Sequence, residues 1–163
     1  MRSNDAPTAP PHERWLPALP FMALGTISIV AGGLVAAVTA ISPTRHTTWA
    51  AAYLVLVVGV AQLGIGTGQA LLAPKIPSSR LVMVELLTWD VGNAGVLAGT
   101  LMNRTALVDL GGALLAISLV LFILGTRGHT GRNRWPLHLY RLLITIVLVS
   151  IPIGLIISRN AHR

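Results

Sequence analysis

The chain is expected to be an all-α polytopic integral membrane protein, a compact bundle of five transmembrane helices, and three observations predict it. Its mean hydropathy is +0.72, with 53% apolar and only 10% charged residues, whereas about a quarter of the residues of a soluble domain are charged. Five apolar stretches are each long enough to cross a hydrocarbon layer about 30 Å thick. One of them, Leu81 to Met102, nevertheless carries Glu85, Asp90 and Asn93. At about 1.5 Å per helical residue this stretch spans about 33 Å, so Asp90 and Asn93 fall near the middle of the apolar layer, where ionisable groups are costly and usually functional.

In chain order, residues 1–14 contain Pro7, Pro10 and Pro11 among polar neighbours and too few bulky apolar side chains to bury a core, which predicts a disordered tail. No charge occurs from Trp15 to Thr44, and Pro17 and Pro20 suit the first turn of a helix over 17–41. Val38-Thr39-Ala40 resembles a signal-peptide cleavage site, but the apolar run before it exceeds the roughly 7–15 residues of a signal core. Ser42-Pro43-Thr44-Arg45 ends this helix, and a second charge-free run predicts helix two over 48–73. Helix three covers 81–102. The short Asn103-Arg104-Thr105 link makes helix four, 106–126, its antiparallel neighbour. A polar loop containing His129 leads to Pro136, which opens helix five over 136–158, with Pro152 as its expected kink, and 159–163 form a short tail. The transmembrane domain is thus 15–158, with no room for a soluble domain.

Basic residues set the expected orientation. Arg2, Arg14, Lys75, Arg80, Arg127, Arg132, Arg134 and Arg141 fall on one side, and only Arg45, Arg104, Arg159 and Arg163 on the other. The positive-inside rule therefore puts the N-terminus in the cytoplasm and the C-terminus outside. Trp15, Trp49 and Trp135 sit at helix ends as interfacial anchors. Arginine outnumbers lysine eleven to one, which reads as the base composition of a high-GC bacterium, and the expected location is the bacterial inner (plasma) membrane. The basic residues are scattered, not clustered as a phosphate footprint, so nucleic acid is not an expected partner.

Several chemistries are excluded. With no cysteine there are no disulfides, thiol nucleophiles or iron–sulfur clusters. No metal or haem is expected, because His46 and His138 fall at opposite membrane faces, His12 and His129 lie in loops, and His162 is at the chain end. Walker, Gly-x-Ser-x-Gly and His-Glu-x-x-His motifs are absent. The glycines of GIGTGQ, residues 64–69, lie inside an apolar span with no preceding strand, which favours helix packing over phosphate binding. Asp109 is expected in the first turn of helix four, as a partner of the helix dipole. No cofactor is implied, and an enzymatic role is disfavoured.

Two sets of residues remain. Gly64 and Gly68, Gly95 and Gly99, and Ser28, Gly32 and Ala36 are small residues at four-residue spacing, suited to close helix packing. Helices two and three, antiparallel through a short loop, should share a polar seam of Gln62, Gln69, Glu85, Trp89, Asp90 and Asn93. With equal rise on both helices, Gln69 falls level with Glu85, Gln62 falls level with Gly92 between Asp90 and Asn93, and Gly59 meets Gly95. Arg141, near the start of helix five on the same side as the two–three loop, is the expected ion-pair partner of Glu85. The functional expectation is a non-catalytic subunit or assembly factor of a larger membrane complex, bound to the bilayer and to another membrane protein or a second copy. The alternative is a small proton-coupled carrier or conduit using the seam.

Overall fold

The structure, a computed structural model, describes residues 13, 15–73, 75–127 and 135–160, with backbone only for 150 and 152–160. The expectations for residues 1–12, for Arg14 and for 128–134 and 161–163, including His12, His129, Arg132, Arg134 and His162, lie outside the described residues. The described residues are all-helical, without a strand. They form α1 (Leu19–Thr39, entered by a 3-10 turn Leu16–Ala18), α2 (Arg45–Leu72), α3 (Ser79–Leu101), α4 (Thr105–Gly125) and α5 (Trp135–Asn160). The first four are long and apolar enough to cross a membrane, and the fifth contributes a shorter apolar stretch, Trp135–Val149.

Local chemistry sets the helix ends. Thr44 caps α2 in a reciprocal box with Thr47, so the helix starts at Arg45, three residues before the sequence suggested. Ser78 caps α3 by accepting the Leu81 N–H. α3 stops in a Schellman turn: Asn103 takes φ 54°, Arg104 N–H donates to the Gly99 carbonyl and Asn103 N–H to that of Thr100. Asparagine is among the few residues other than glycine that accept this backbone. Because α4 begins at Thr105, Asp109 lies beyond its first turn, which contains no acidic residue, contrary to the dipole role expected for it.

α2 is not uniform. Its middle, Leu54–Ala61, is π-helical, with α-helix on either side, Arg45–Tyr53 and Gln62–Leu72. The i→i+5 bonding widens the turns and shifts the angular phase of everything beyond it.

The helices pair as two hairpins zipped by glycine. Between α1 and α2, a Cβ added at Gly25 would stand 2.9 Å from Leu63 Cγ and 3.0 Å from the Gly59 carbonyl oxygen, and one at Gly32 would stand 2.9 Å from the Ala51 carbonyl oxygen. Between α3 and α4, a Cβ at Gly111 would stand 2.6 Å from both the Gly92 carbonyl oxygen and Val96 N. Gly95 faces Gly111, and Gly99 faces Val108. These contacts correct two expectations. Gly59 and Gly95 do not meet each other, since each faces the other helix of its own hairpin. Of the helix-one ridge, only Gly32 is fully packed: Ser28 is half-buried and Ala36 exposed, because the buried stripe of α1 runs through Phe21, Gly25 and Gly32.

Long side chains join the hairpins. Phe21, Trp89, Leu119, Phe122 and Ile144 form the buried core with Val82 and Leu115; the Phe21 and Phe122 rings meet edge-on at 5.5 Å, and Trp89 meets Phe122 at 6.5 Å. The Gly64/Gly68 pair serves this side of α2 unevenly. Gly68 takes the Tyr140 ring of α5 against its backbone, whereas Gly64 has open space in front of it.

Gly111→Ala should lower thermal stability in detergent by about 1–3 kcal/mol or more, since the added methyl meets backbone atoms that cannot turn aside. Gly33→Ala, where a Cβ meets nothing within 4 Å, should leave stability unchanged. Equal melting temperatures for the two variants would refute the glycine-zipped hairpin.

Candidate functional site

Three polar rungs cross from α2 to α3. At the end of the bundle holding the α2–α3 connection, Gln69 Nε2 donates to Glu85 Oε1 at 2.9 Å and to Oε2 at 3.1 Å, with both residues essentially inaccessible. Near the middle of α3, Gln62 Nε2 donates to Asp90 Oδ2 at 3.4 Å. The third rung is Tyr53 O–H donating to Asn93 Oδ1 at 2.8 Å, while Asn93 Nδ2 donates to the Trp89 carbonyl at 2.9 Å. The structure thus brings Gln69 to Glu85 and Gln62 to Asp90, with Trp89 and Asn93 buried on the same face and Asp90 half-buried at its edge.

Glu85 is the most enclosed of these groups. Its backbone carbonyl accepts from Ser118 Oγ of α4 at 3.0 Å and from Thr88 Oγ1 at 3.1 Å. Gly125, at the end of α4, closes over the carboxylate so tightly that a Cβ there would stand 2.7 Å from Gln69 Nε2 and 3.2 Å from Glu85 Oε1. Three helices therefore hold one carboxylate and one amide.

The expected Glu85–Arg141 ion pair is not formed. Arg141 Nη2 donates instead to the Thr126 carbonyl, just past the end of α4, and Arg141 Nε is buried with no partner among the described residues. The last carbonyls of a helix lack intrahelical donors and carry the negative end of its dipole, so a cation there is well placed. Among the described residues no ion pair joins positions 85 and 141, and Gln69 takes the place at the carboxylate that the arginine was expected to fill.

Tyr53, Ser118, Gly125 and Tyr140 belong to this neighbourhood and were not anticipated. Tyr140 O–H donates to the Ile65 carbonyl at 3.0 Å, tying α5 to α2. Tyr53 could not have been found by helical spacing: it is nine residues from Gln62, about two and a half α-helical turns, which would put it on the far side of the helix. The π-helical stretch between them changes the phase and draws Tyr53 to Asn93, where uniform rise would have set it level with Leu101. For Ser118 the only signal was a lone hydroxyl within an apolar run.

Two orphan polar atoms lie in the middle layer. Gln62 Oε1 and Trp89 Nε1 are buried and have no hydrogen-bond partner among the described residues. Comparison with family models, with characterised proteins and with solved structures finds no match for this chain.

A double-mutant cycle of Gln69→Leu with Glu85→Leu should show a coupling of roughly 0.6–1.7 kcal/mol, the range of interhelical hydrogen bonds in helical membrane proteins. The cycle of Glu85→Gln with Arg141→Gln should show less. A larger coupling at 85/141 than at 69/85 would restore the ion pair and refute the rung.

Proposed function

We propose that the chain spans a lipid bilayer as five helices and acts as a non-catalytic subunit or assembly factor of a larger membrane complex. The observation that carries this reading is an open groove of small residues between α1 and α2. It encloses about 430 Å³ and is lined by Gly33, Ala36, Ala40 and Ala52 among others. Small residues let a neighbouring helix bring its backbone close, which is how membrane helices associate. Gly32 is closed by α2 and Gly111 by α3, whereas Gly33, like Gly64 on α2, has nothing in front of it. The polar seam points the other way, into the bundle, which leaves the outer faces apolar: Ile27, Val30, Leu34 and Val38 of α1 are all more than half exposed. Such faces suit lipid, and the groove suits the helix of another membrane protein or of a second copy. Nucleic acid is not a partner in this reading.

The basic residues orient the bundle with the N-terminus in the cytoplasm of a bacterial cell and the C-terminus outside. Lys75, Arg80 and Arg127, all exposed, belong to the cytoplasmic end, and Arg45 and Arg104 to the outer end. The second reading, a small proton-coupled carrier or conduit, is favoured by Asp90, a half-buried carboxyl near the middle of a membrane-length helix.

Single cysteines at Thr44 and Ile76, in a chain that has none of its own, test the topology. In intact cells an impermeant thiol reagent should label position 44 and spare position 76; the reverse pattern would invert the orientation. The groove is tested by crosslinking in native membranes. A cysteine at Ala36 should give a defined higher-mass adduct that is lost with Gly33→Leu, while the variant's own melting temperature stays unchanged. A cysteine at the exposed Val91 serves as control, and equal adducts from both positions would dismiss the groove as a docking surface. An adduct of twice the chain mass identifies the partner as a second copy.

A further inference from the structure

We propose that the Asp90–Gln62 rung is a proton-binding site, in which a protonated Asp90 carboxyl and the Gln62 amide close a two-bond ring and the proton exchanges reversibly with solution. The starting observation is an unsatisfied acceptor. Gln62 is 1% exposed, its Nε2 donates to Asp90 Oδ2 across a long 3.4 Å, and its Oε1 has no partner among the described residues. Oε1 and Nε2 are bonded to the same carbon, so a turn of the amide about its side-chain torsion brings the orphan oxygen to the same carboxyl. An ionised carboxylate only accepts hydrogen bonds and cannot satisfy an oxygen. A protonated carboxyl offers one O–H donor and one C=O acceptor, the complement of a primary amide's acceptor and donor. Protonation therefore completes both partners at once and removes the penalty of an unpaired buried acceptor. With the amide turned over, two oxygens would face each other, and again only a proton between them could hold them there.

The open side of its carboxyl distinguishes this rung from the other carboxyl–amide pair. Glu85 is sealed by Gln69, Ser118 and Gly125, and both its oxygens are engaged. Asp90 is half-buried, and among the described residues no hydrogen bond reaches its Oδ1. Other titratable groups on the surrounding elements are engaged or distant. From α2, Tyr53 bonds to Asn93; from α5, Tyr140 bonds to the Ile65 carbonyl and Arg141 to the Thr126 carbonyl, while His138 is exposed in the first turn. Asp109 lies near the opposite end of α4, α1 contains no ionisable residue, and on α3 itself Glu85 lies five residues away. No cation contacts Asp90 among the described residues. The step makes one O–H bond on Asp90 and breaks one in a hydronium ion, releasing water, with nothing oxidised or reduced. The site stands whether the bundle is a subunit or a conduit.

Infrared difference spectroscopy of the full chain in lipid nanodiscs, recorded across a pH series, tests it. The C=O stretch of a protonated carboxyl stands clear of the amide bands. It should appear and disappear reversibly with pH, shift in deuterium oxide, and shift when aspartate is carbon-13 labelled, a measurement that needs no variant. Asp90→Asn should abolish the band and Glu85→Gln should retain it. Gln62→Leu should move it to higher frequency, because the carbonyl loses the amide donor. A band insensitive to aspartate labelling, or one that survives Asp90→Asn, would overturn the proposal. So would a Gln62→Leu spectrum identical to the unmutated one, which would mean that another donor, such as the orphan Trp89 indole N–H, satisfies the amide. Failure here leaves the groove and topology experiments standing, and success does not depend on them.

Discussion

Polar side chains inside an apolar bundle have only one another for solvent. An unpaired amide or carboxyl in such surroundings loses its hydration without replacement. Every helix of this chain that bears such a group must therefore meet the helix that bears its complement. Gln69 with Glu85, Gln62 with Asp90 and Tyr53 with Asn93 fix the register of α2 against α3, and through them the relation of one hairpin to the other. The apolar contacts between the hairpins, Phe21 with Phe122 and Trp89 with Phe122, are less directional and are compatible with several registers. The rungs select one.

Two kinds of contact share the work of holding the bundle. Within each hairpin, glycines bring backbones together and the fit is steric: Gly25 against α2, Gly32 against α2, Gly92 and Gly111 against each other. Between hairpins the backbones stay apart, and long side chains reach across. A steric contact of the first kind tolerates little substitution. The second kind admits adjustment, since amides and carboxyls can turn. The reversible chemistry proposed for Asp90 sits at the half-buried edge of this interface, while Glu85 is enclosed by Gln69, Ser118 and Gly125.

The π-helical stretch Leu54–Ala61 connects these two observations. It lies between the Tyr53 and Gln62 rungs and allows both to face α3, although regular helix would set them on opposite sides. The wider turns are part of how one helix can glue to α1 by its glycines and to α3 by its polar groups. The groove beside Gly33 touches this stretch at Val55 and Leu56, but no residue of the rungs lines it.

Much of the fold was legible in the sequence because its signals are one-dimensional. Apolar length marks the helices, proline and capping residues mark their ends, and the short link at Asn103 makes α3 and α4 neighbours whatever else happens. The pairing of Gln69 with Glu85 was legible too, because two helices joined by a short loop and rising equally bring predictable depths together. What could not be read was anything that depends on which face a residue presents after the regular period is broken, or on a third element. The π-helical turns put Tyr53 out of phase with any α-helical pattern, so its bond to Asn93 was invisible. Arg141 was placed near Glu85 by depth alone, but depth says nothing about competitors, and the Thr126 carbonyl at the end of α4 holds its Nη2. Glycine spacing announced close packing without naming the partner, so Gly59 and Gly95 went to their own hairpins instead of to each other. Sequence determined which residues had to be buried and satisfied; tertiary structure decided by whom, because hydrogen-bond partners and steric neighbours are chosen among all the helices at once.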